Sequence, residues 1–103
     1  MEVIFNNSYL EKIFIGLPLT GKPRFNEEVI DKFRKKIAIL KNVSTTSVLK
    51  QFRSLNFEAL KGDKKGLYSI RVDLKYRLEF SIEKNRIHLS EIILIQDLSN
   101  HYK

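Results

Sequence analysis

Apolar residues recur along this chain at two different spacings, and the change of spacing divides it. Val3-Ile4-Phe5 is a short apolar run ended by Asn6-Asn7, which reads as a first strand. Ser8 is placed to cap a short helix through Ile15, with Leu10, Ile13 and Phe14 on one face. Gly16, Pro18, Gly21 and Pro23 then interrupt the pattern and predict a loop over residues 16–24. Asn26 followed by Glu27-Glu28 is a helix start, with acids at the positive end of the dipole. Val29, Ile30, Phe33, Ile37 and Leu40 make its apolar stripe, Lys32, Arg34, Lys35 and Lys36 its polar face, and Lys41 sits near its end. Ser44 to Thr46 can cap a third helix with Val48, Leu49, Phe52 and Leu55 turned inward, and the short connection 42–46 predicts an antiparallel helical hairpin.

After Leu55 the period becomes two. Tyr68, Ile70 and Val72 alternate with Ser69, Arg71 and Asp73; Tyr76, Leu78, Phe80 and Ile82 alternate with Arg77, Glu79, Ser81 and Glu83. Asp73-Leu74-Lys75 and Lys84-Asn85-Arg86 are short enough for hairpin turns, and residues 87–96 make a last strand. Ile92 to Ile95 is apolar on both faces, as in a central strand, and His88, between Ile87 and Leu89, reads as a structural mid-strand residue. The expected fold is α+β: a mostly antiparallel sheet of about four strands, a short amino-terminal strand followed by helices on one face, then a three-strand meander. No repeat or linker divides residues 1–103, so one domain is expected.

Composition narrows the function. At 103 residues, 43% hydrophobic and 30% charged, the chain suits one modest core. The absence of cysteine excludes a disulfide framework, a thiolate nucleophile and a cysteine zinc site. Two histidines, His88 and His101, do not make a metal centre, so neither metal nor cofactor is expected. No apolar run approaches a membrane span and no basic region precedes an apolar stretch at the start, so a cytoplasmic protein without a membrane partner is expected. The net charge of +7 is concentrated: residues 32–77 hold 13 basic and three acidic residues, a local +10, and the rest carries −3. Such a field suits a polyanion or an acidic protein partner, against the alternative of a solvated lysine-rich surface. A helix-turn-helix DNA reader fits less well, because the basic residues are not gathered on one recognition helix.

The second half carries a family resemblance. The string Leu60-Lys61-Gly62-Asp63-Lys64-Lys65-Gly66-Leu67-Tyr68-Ser69-Ile70-Arg71-Val72, then Tyr76-Arg77-Leu78-Glu79-Phe80, then Asp97-Leu98-Ser99-Asn100-His101-Tyr102, resembles the HigB branch of the RelE superfamily, toxins of bacterial toxin–antitoxin modules. The resemblance implies a metal-independent endoribonuclease that enters the 70S ribosome A site, cleaves mRNA and so inhibits translation. It implies neutralisation by a cognate HigA-type helix-turn-helix antitoxin, with operator DNA reached only through that antitoxin. The chemistry implied is attack of a ribose 2′-hydroxyl on the adjacent phosphate. That needs a base, cations for the added charge on phosphorus, and an acid for the departing 5′-oxygen.

The residues can be set against those needs. Lys61 stands before a glycine turn; Arg71 and Arg77 fall on the polar faces of consecutive strands and can converge on one phosphate, or pair across strands with Asp73, Glu79 or Glu83. Lys64 and Lys65, with Lys35 and Lys36 of the long helix, are candidate RNA or phosphate contacts, the alternatives being a charged turn tip and a solvated helix face. Asp63 is expected to shape the Gly62–Gly66 turn. His101 titrates near neutrality and can serve as base or acid, and Tyr102 can stack or donate a proton. Many relatives have Asp-Tyr-His where this chain has Asn100-His101-Tyr102, and many have histidine where Glu58 stands, which makes Glu58 a second candidate base. These departures leave open a catalytically degenerate homologue that binds only antitoxin or RNA.

Overall fold

The computed structural model describes residues 1–100. In chain order the elements are β1 (Glu2–Phe5), α1 (Ser8–Ile15), α2 (Glu27–Asn42), α3 (Thr46–Leu49), β2 (Glu58–Ala59), β3 (Tyr68–Arg71), β4 (Arg77–Lys84) and β5 (Glu91–Ser99), with 3₁₀ turns at Arg53–Leu55 and Gly62–Lys64. The strands form one sheet in the order β1-β5-β4-β3-β2. β3, β4 and β5 are the antiparallel meander, β2 extends it by two residues, and β1 lies parallel to β5.

Local chemistry starts the helices where the sequence places them, with one shift. α1 is capped by Asn7, not Ser8: the Asn7 Oδ1 accepts from the Leu10 amide, and its Nδ2 donates to the Gln96 carbonyl at 3.1 Å. Asn26 caps α2 in the same way through the Val29 amide. The apolar stripe of α2 is buried against the sheet, where Phe33, Ile37 and Leu40 meet Ile70, Leu78, Phe80, Ile93 and Ile95. Helices therefore cover one face of the sheet.

The third helix is shorter than the apolar spacing predicts. α3 is a single turn, and shorter-range turns closing on Val48 and Leu49 carry the chain into the 3₁₀ turn at Arg53–Leu55. Leu49 and Leu55 are buried as expected, but Phe52 points outward at 42% exposure. One turn cannot offset the cost of helix nucleation by itself, and α3 depends on a distant partner. The Glu91 carboxylate accepts from the Thr46 amide at 2.8 Å and from its hydroxyl at 2.6 Å.

The last strand is also displaced. The chain reverses over residues 85–90: the Asn85 side chain accepts from the Ile87 and His88 amides, Asn85 donates to the Ser90 carbonyl, and Leu89 has a φ of +54°. An Asx turn thus takes the residues that apolar content assigned to a strand. His88 is exposed in that turn and is not mid-strand. β5 starts at Glu91 and runs on to Ser99. It is a central strand, with Ile93 and Ile95 fully buried and Ile92 and Leu94 half-buried. A bulge at Gln96 shifts its register, so Glu79 pairs with Asp97 while Phe80 pairs with Ile95.

Candidate functional site

Pairing across β3, β4 and β5 sets a polar row on the sheet face that the helices leave uncovered. Ser69 is opposite Glu79, Arg71 opposite Arg77, Glu79 opposite Asp97 and Arg77 opposite Ser99. The alternate residues, Ile70, Leu78 and Leu98, lie in the core under α2. Four of the polar residues are buried: Ser69 at 0% exposure, Glu79 at 2%, Ser99 at 4% and Arg77 at 5%.

Arg77 anchors this row. Its Nε donates to Ser69 Oγ at 2.9 Å and its Nη2 to the Asn56 carbonyl at 2.5 Å. Asn56 presents that carbonyl from a left-handed backbone, φ +46°, a conformation asparagine tolerates better than most residues. Glu58 of β2 lies at the rim with an oxygen 3.9 Å from Arg77 Nη2, its side chain half-exposed. A buried guanidinium fixed by oxygen acceptors is a preorganised positive charge, which needs no rearrangement when anionic charge develops nearby.

The segment between β2 and β3 curls over the same face. Gly62 and Gly66 take φ of +65° and +99°, which a residue with a Cβ rarely adopts, and this tightens the turn around Asp63-Lys64-Lys65. Lys61 stands exposed just before the turn and Arg71 exposed at the end of β3. Among the described residues neither forms an ion pair. Lys65 is exposed as well, whereas Lys64 reaches inward to Glu79, Nζ to Oε2 at 2.6 Å. Asn100 follows the end of β5, one residue beyond Ser99. His101 and Tyr102 lie outside the described residues.

The structure thus brings together Glu58, Arg71 and Arg77, joins Lys64 to Glu79 of the same row, and places Asn100 just beyond Ser99, the cross-strand partner of Arg77. It does not bring Lys35 and Lys36 to them. Both lie on α2, in the layer that covers the opposite face of the sheet, and Lys35 pairs with Asp31 at 3.1 Å. The aromatic side chains Phe57, Tyr68, Tyr76 and Tyr9 are engaged within the protein: Phe57 stacks on Tyr68 with centroids 5.6 Å apart, Tyr76 meets Phe25 edge-on at 5.4 Å, and Tyr9 lies under Arg24.

Residues that the sequence did not single out complete the row. Glu79 figured as a possible cross-strand partner, Ser69 and Ser99 stood in the strings that carry the family resemblance without a role of their own, and Asn56 was not singled out. Two clefts, of about 310 Å³ beside the β3–β4 turn and about 250 Å³ beside the end of α1, lie away from the row and share no residue with it. An open face rather than an enclosed cleft suits a long strand of polyanion. Among the described residues no group of three His, Cys, Asp or Glu is placed to hold a metal ion, and no helix is long and apolar enough to cross a membrane.

An α+β chain that begins with a strand, continues with helices and ends in a five-strand mixed sheet is the architecture of RelE/ParE-like toxins. It is similar to a YoeB/ParE toxin from Agrobacterium tumefaciens, with a TM-score of 0.57 and 17% identity over 99% of this chain and 100% of that one. No curated protein matches the chain by sequence. The family model described as the RelE-like toxin of type II toxin-antitoxin system HigB matches residues 4–91. The chain belongs to that HigB-like toxin family.

Proposed function

We propose that this toxin is an mRNA endoribonuclease that acts in the cytoplasm on translating ribosomes and is silenced by a cognate antitoxin. One observation carries the reading: the fixed Arg77 guanidinium lies beside the half-exposed Glu58 carboxylate and across the β3–β4 ladder from the exposed Arg71, and the segment that begins at the exposed Lys61 reaches the same face through Lys64.

The roles are assigned from exposure for the described residues and from sequence for the last ones. Lys61 and Arg71 are exposed and take the phosphates on either side of the scissile bond, Arg71 with its bidentate fork. Arg77, from below, offsets the charge that the phosphorane gains. Glu58 is reachable by a bound strand and takes the 2′-hydroxyl proton. His101 supplies the acid that protonates the departing 5′-oxygen, with Tyr102 and Asn100 flanking it in sequence. The antitoxin presents an acidic face to this row, in keeping with charge complementarity at interfaces, and a helix-turn-helix repressor of the HigA type is the partner implied.

The test is single-turnover cleavage of a ribosome-bound message by purified variants. Glu58→Gln and His101→Gln should each slow cleavage by roughly 10²–10⁴, the range of a lost proton-transfer group. Unchanged rates in Glu58→Gln would remove it as the base.

A further inference from the structure

The segment from Leu60 to Leu67 hangs from a weak hinge. It is closed by two backbone bonds of 2.9 Å, from the Leu60 amide to the Leu67 carbonyl and from the Leu67 amide to the Lys64 carbonyl, and β2 beside it pairs over two residues only. Its turn is tightened by internal bonds from Lys64 to Lys61 and from Lys65 to Gly62. None of these ties the tip to the sheet. The tie is Lys64, whose ammonium sits 2.6 Å from the Glu79 carboxylate on the floor of the row, 15 residues along the chain.

The two ends of this contact differ in surroundings. The Glu79 side chain is 2% exposed and that of Lys64 is 37% exposed. A buried carboxylate two residues along β4 from Arg77 is costly unless compensated. Here the Lys64 ammonium compensates it from the turn above, and that attraction draws the segment onto the sheet. The same contact directs Lys64 downward and leaves Lys61 and Lys65 exposed on either side.

We infer that Glu79 is a positioning residue of this toxin: by binding Lys64 it clamps the Leu60–Leu67 segment over the polar row and sets Lys61 in place for RNA, and Lys64 is the clamp, not a phosphate contact. This role rests on RNA cleavage by the same face. It assigns Glu79 a task beyond charge balance and takes Lys64 out of the phosphate-binding set.

The two roles for Lys64 give opposite signs. In single-turnover cleavage of ribosome-bound message, a clamp predicts that Glu79→Gln and Lys64→Met each lower the maximal rate about 10- to 100-fold, as for a misplacement near 1 Å, and change half-saturation less than about twofold. The double variant should be little slower than either single one, because both break the Lys64–Glu79 contact. Lys64→Arg, which keeps the contact, should restore most of the rate. Amide hydrogen exchange over residues 62–67 should quicken in both single variants and not in Lys64→Arg. If Lys64 instead holds phosphate, Lys64→Met weakens half-saturation, Glu79→Gln strengthens it by releasing the lysine, and the clamp is overturned. Lys64 sits at the more exposed end, so its variants decide the matter even if Glu79→Gln does not fold. A wild-type protein that cleaves nothing removes the catalytic purpose of the clamp along with the proposed function; the exchange data then still separate a real anchor from an idle contact.

Discussion

Arg77 on β4 and Ser99 on β5 face each other across the sheet, the last pair before β5 ends. The buried guanidinium and the end of β5 are therefore neighbours by register. The β3–β4 connection serves this end: β3 finishes at Arg71 and β4 begins at Arg77, and the two arginines pair across the ladder.

Arg77→Ala should destabilise the protein as well as disable it. The side chain is 5% exposed, and its loss leaves Ser69 and the Asn56 carbonyl without their donor. Removing a charged donor from buried acceptors costs about 2–4 kcal/mol. Urea unfolding of Arg77→Ala should show that loss, and Arg77→Lys should lose less stability while lacking the planar fork. An Arg77→Ala variant as stable as wild type would contradict the anchoring role.

The sequence pattern showed the meander, α2 and the Asn26 cap because each depends on nearest neighbours and a regular period. It did not show the burial of Arg77. Alternation puts Arg77 on the polar face correctly, but whether that face is covered depends on Asn56 and the segment that crosses it, contacts 21 residues apart in the case of Arg77 and Asn56. The same distance problem hid the Asn7–Gln96 and Thr46–Glu91 contacts. Where a short side chain overrode the period, as Asn85 did at residues 85–90, apolar content misplaced the start of a strand.

Stability should fall in acid through Glu91. Burial raises its carboxyl pKa, but the Thr46 hydroxyl and amide, with Lys84 and Lys50 nearby, outweigh that and leave it below the ordinary value. A lowered folded-state pKa contributes stability that is present above the unfolded value, about 4.3, and is lost as pH falls through the folded one. Glu91→Gln should therefore be less stable than wild type at neutral pH, and the gap should narrow as pH falls below the unfolded value and through the lowered folded one. A gap that stays constant with pH would show that the charge on Glu91 is not what holds α3.

Asn7→Ala should cost about 1–2 kcal/mol, at the upper end for a lost cap. Asn7 both caps α1 and donates to the bulge carbonyl of Gln96, so the change also leaves that acceptor unmade. Asn7→Asp, which keeps the cap and removes the donor, should recover part of the loss in thermal unfolding; full recovery would mean that the Gln96 contact contributes nothing.

Binding to ribosomes or RNA should weaken with salt, because Lys61, Lys65 and Arg71 displace counterions from the strand. The logarithm of affinity should fall against the logarithm of salt with a slope near −2, at about 0.7 per contact for single strands. Affinity flat from low to moderate salt would show that the row is not the contact surface.

The most direct test of the account is primer extension on a translated message incubated with the purified toxin. The account predicts new, discrete ends within the translated frame, present only when ribosomes are translating and lost when the antitoxin is added. They should be weakened together by Arg71→Ala, Glu58→Gln and His101→Gln. A message that stays intact under stoichiometric, folded toxin would contradict RNA cleavage as the function of this row.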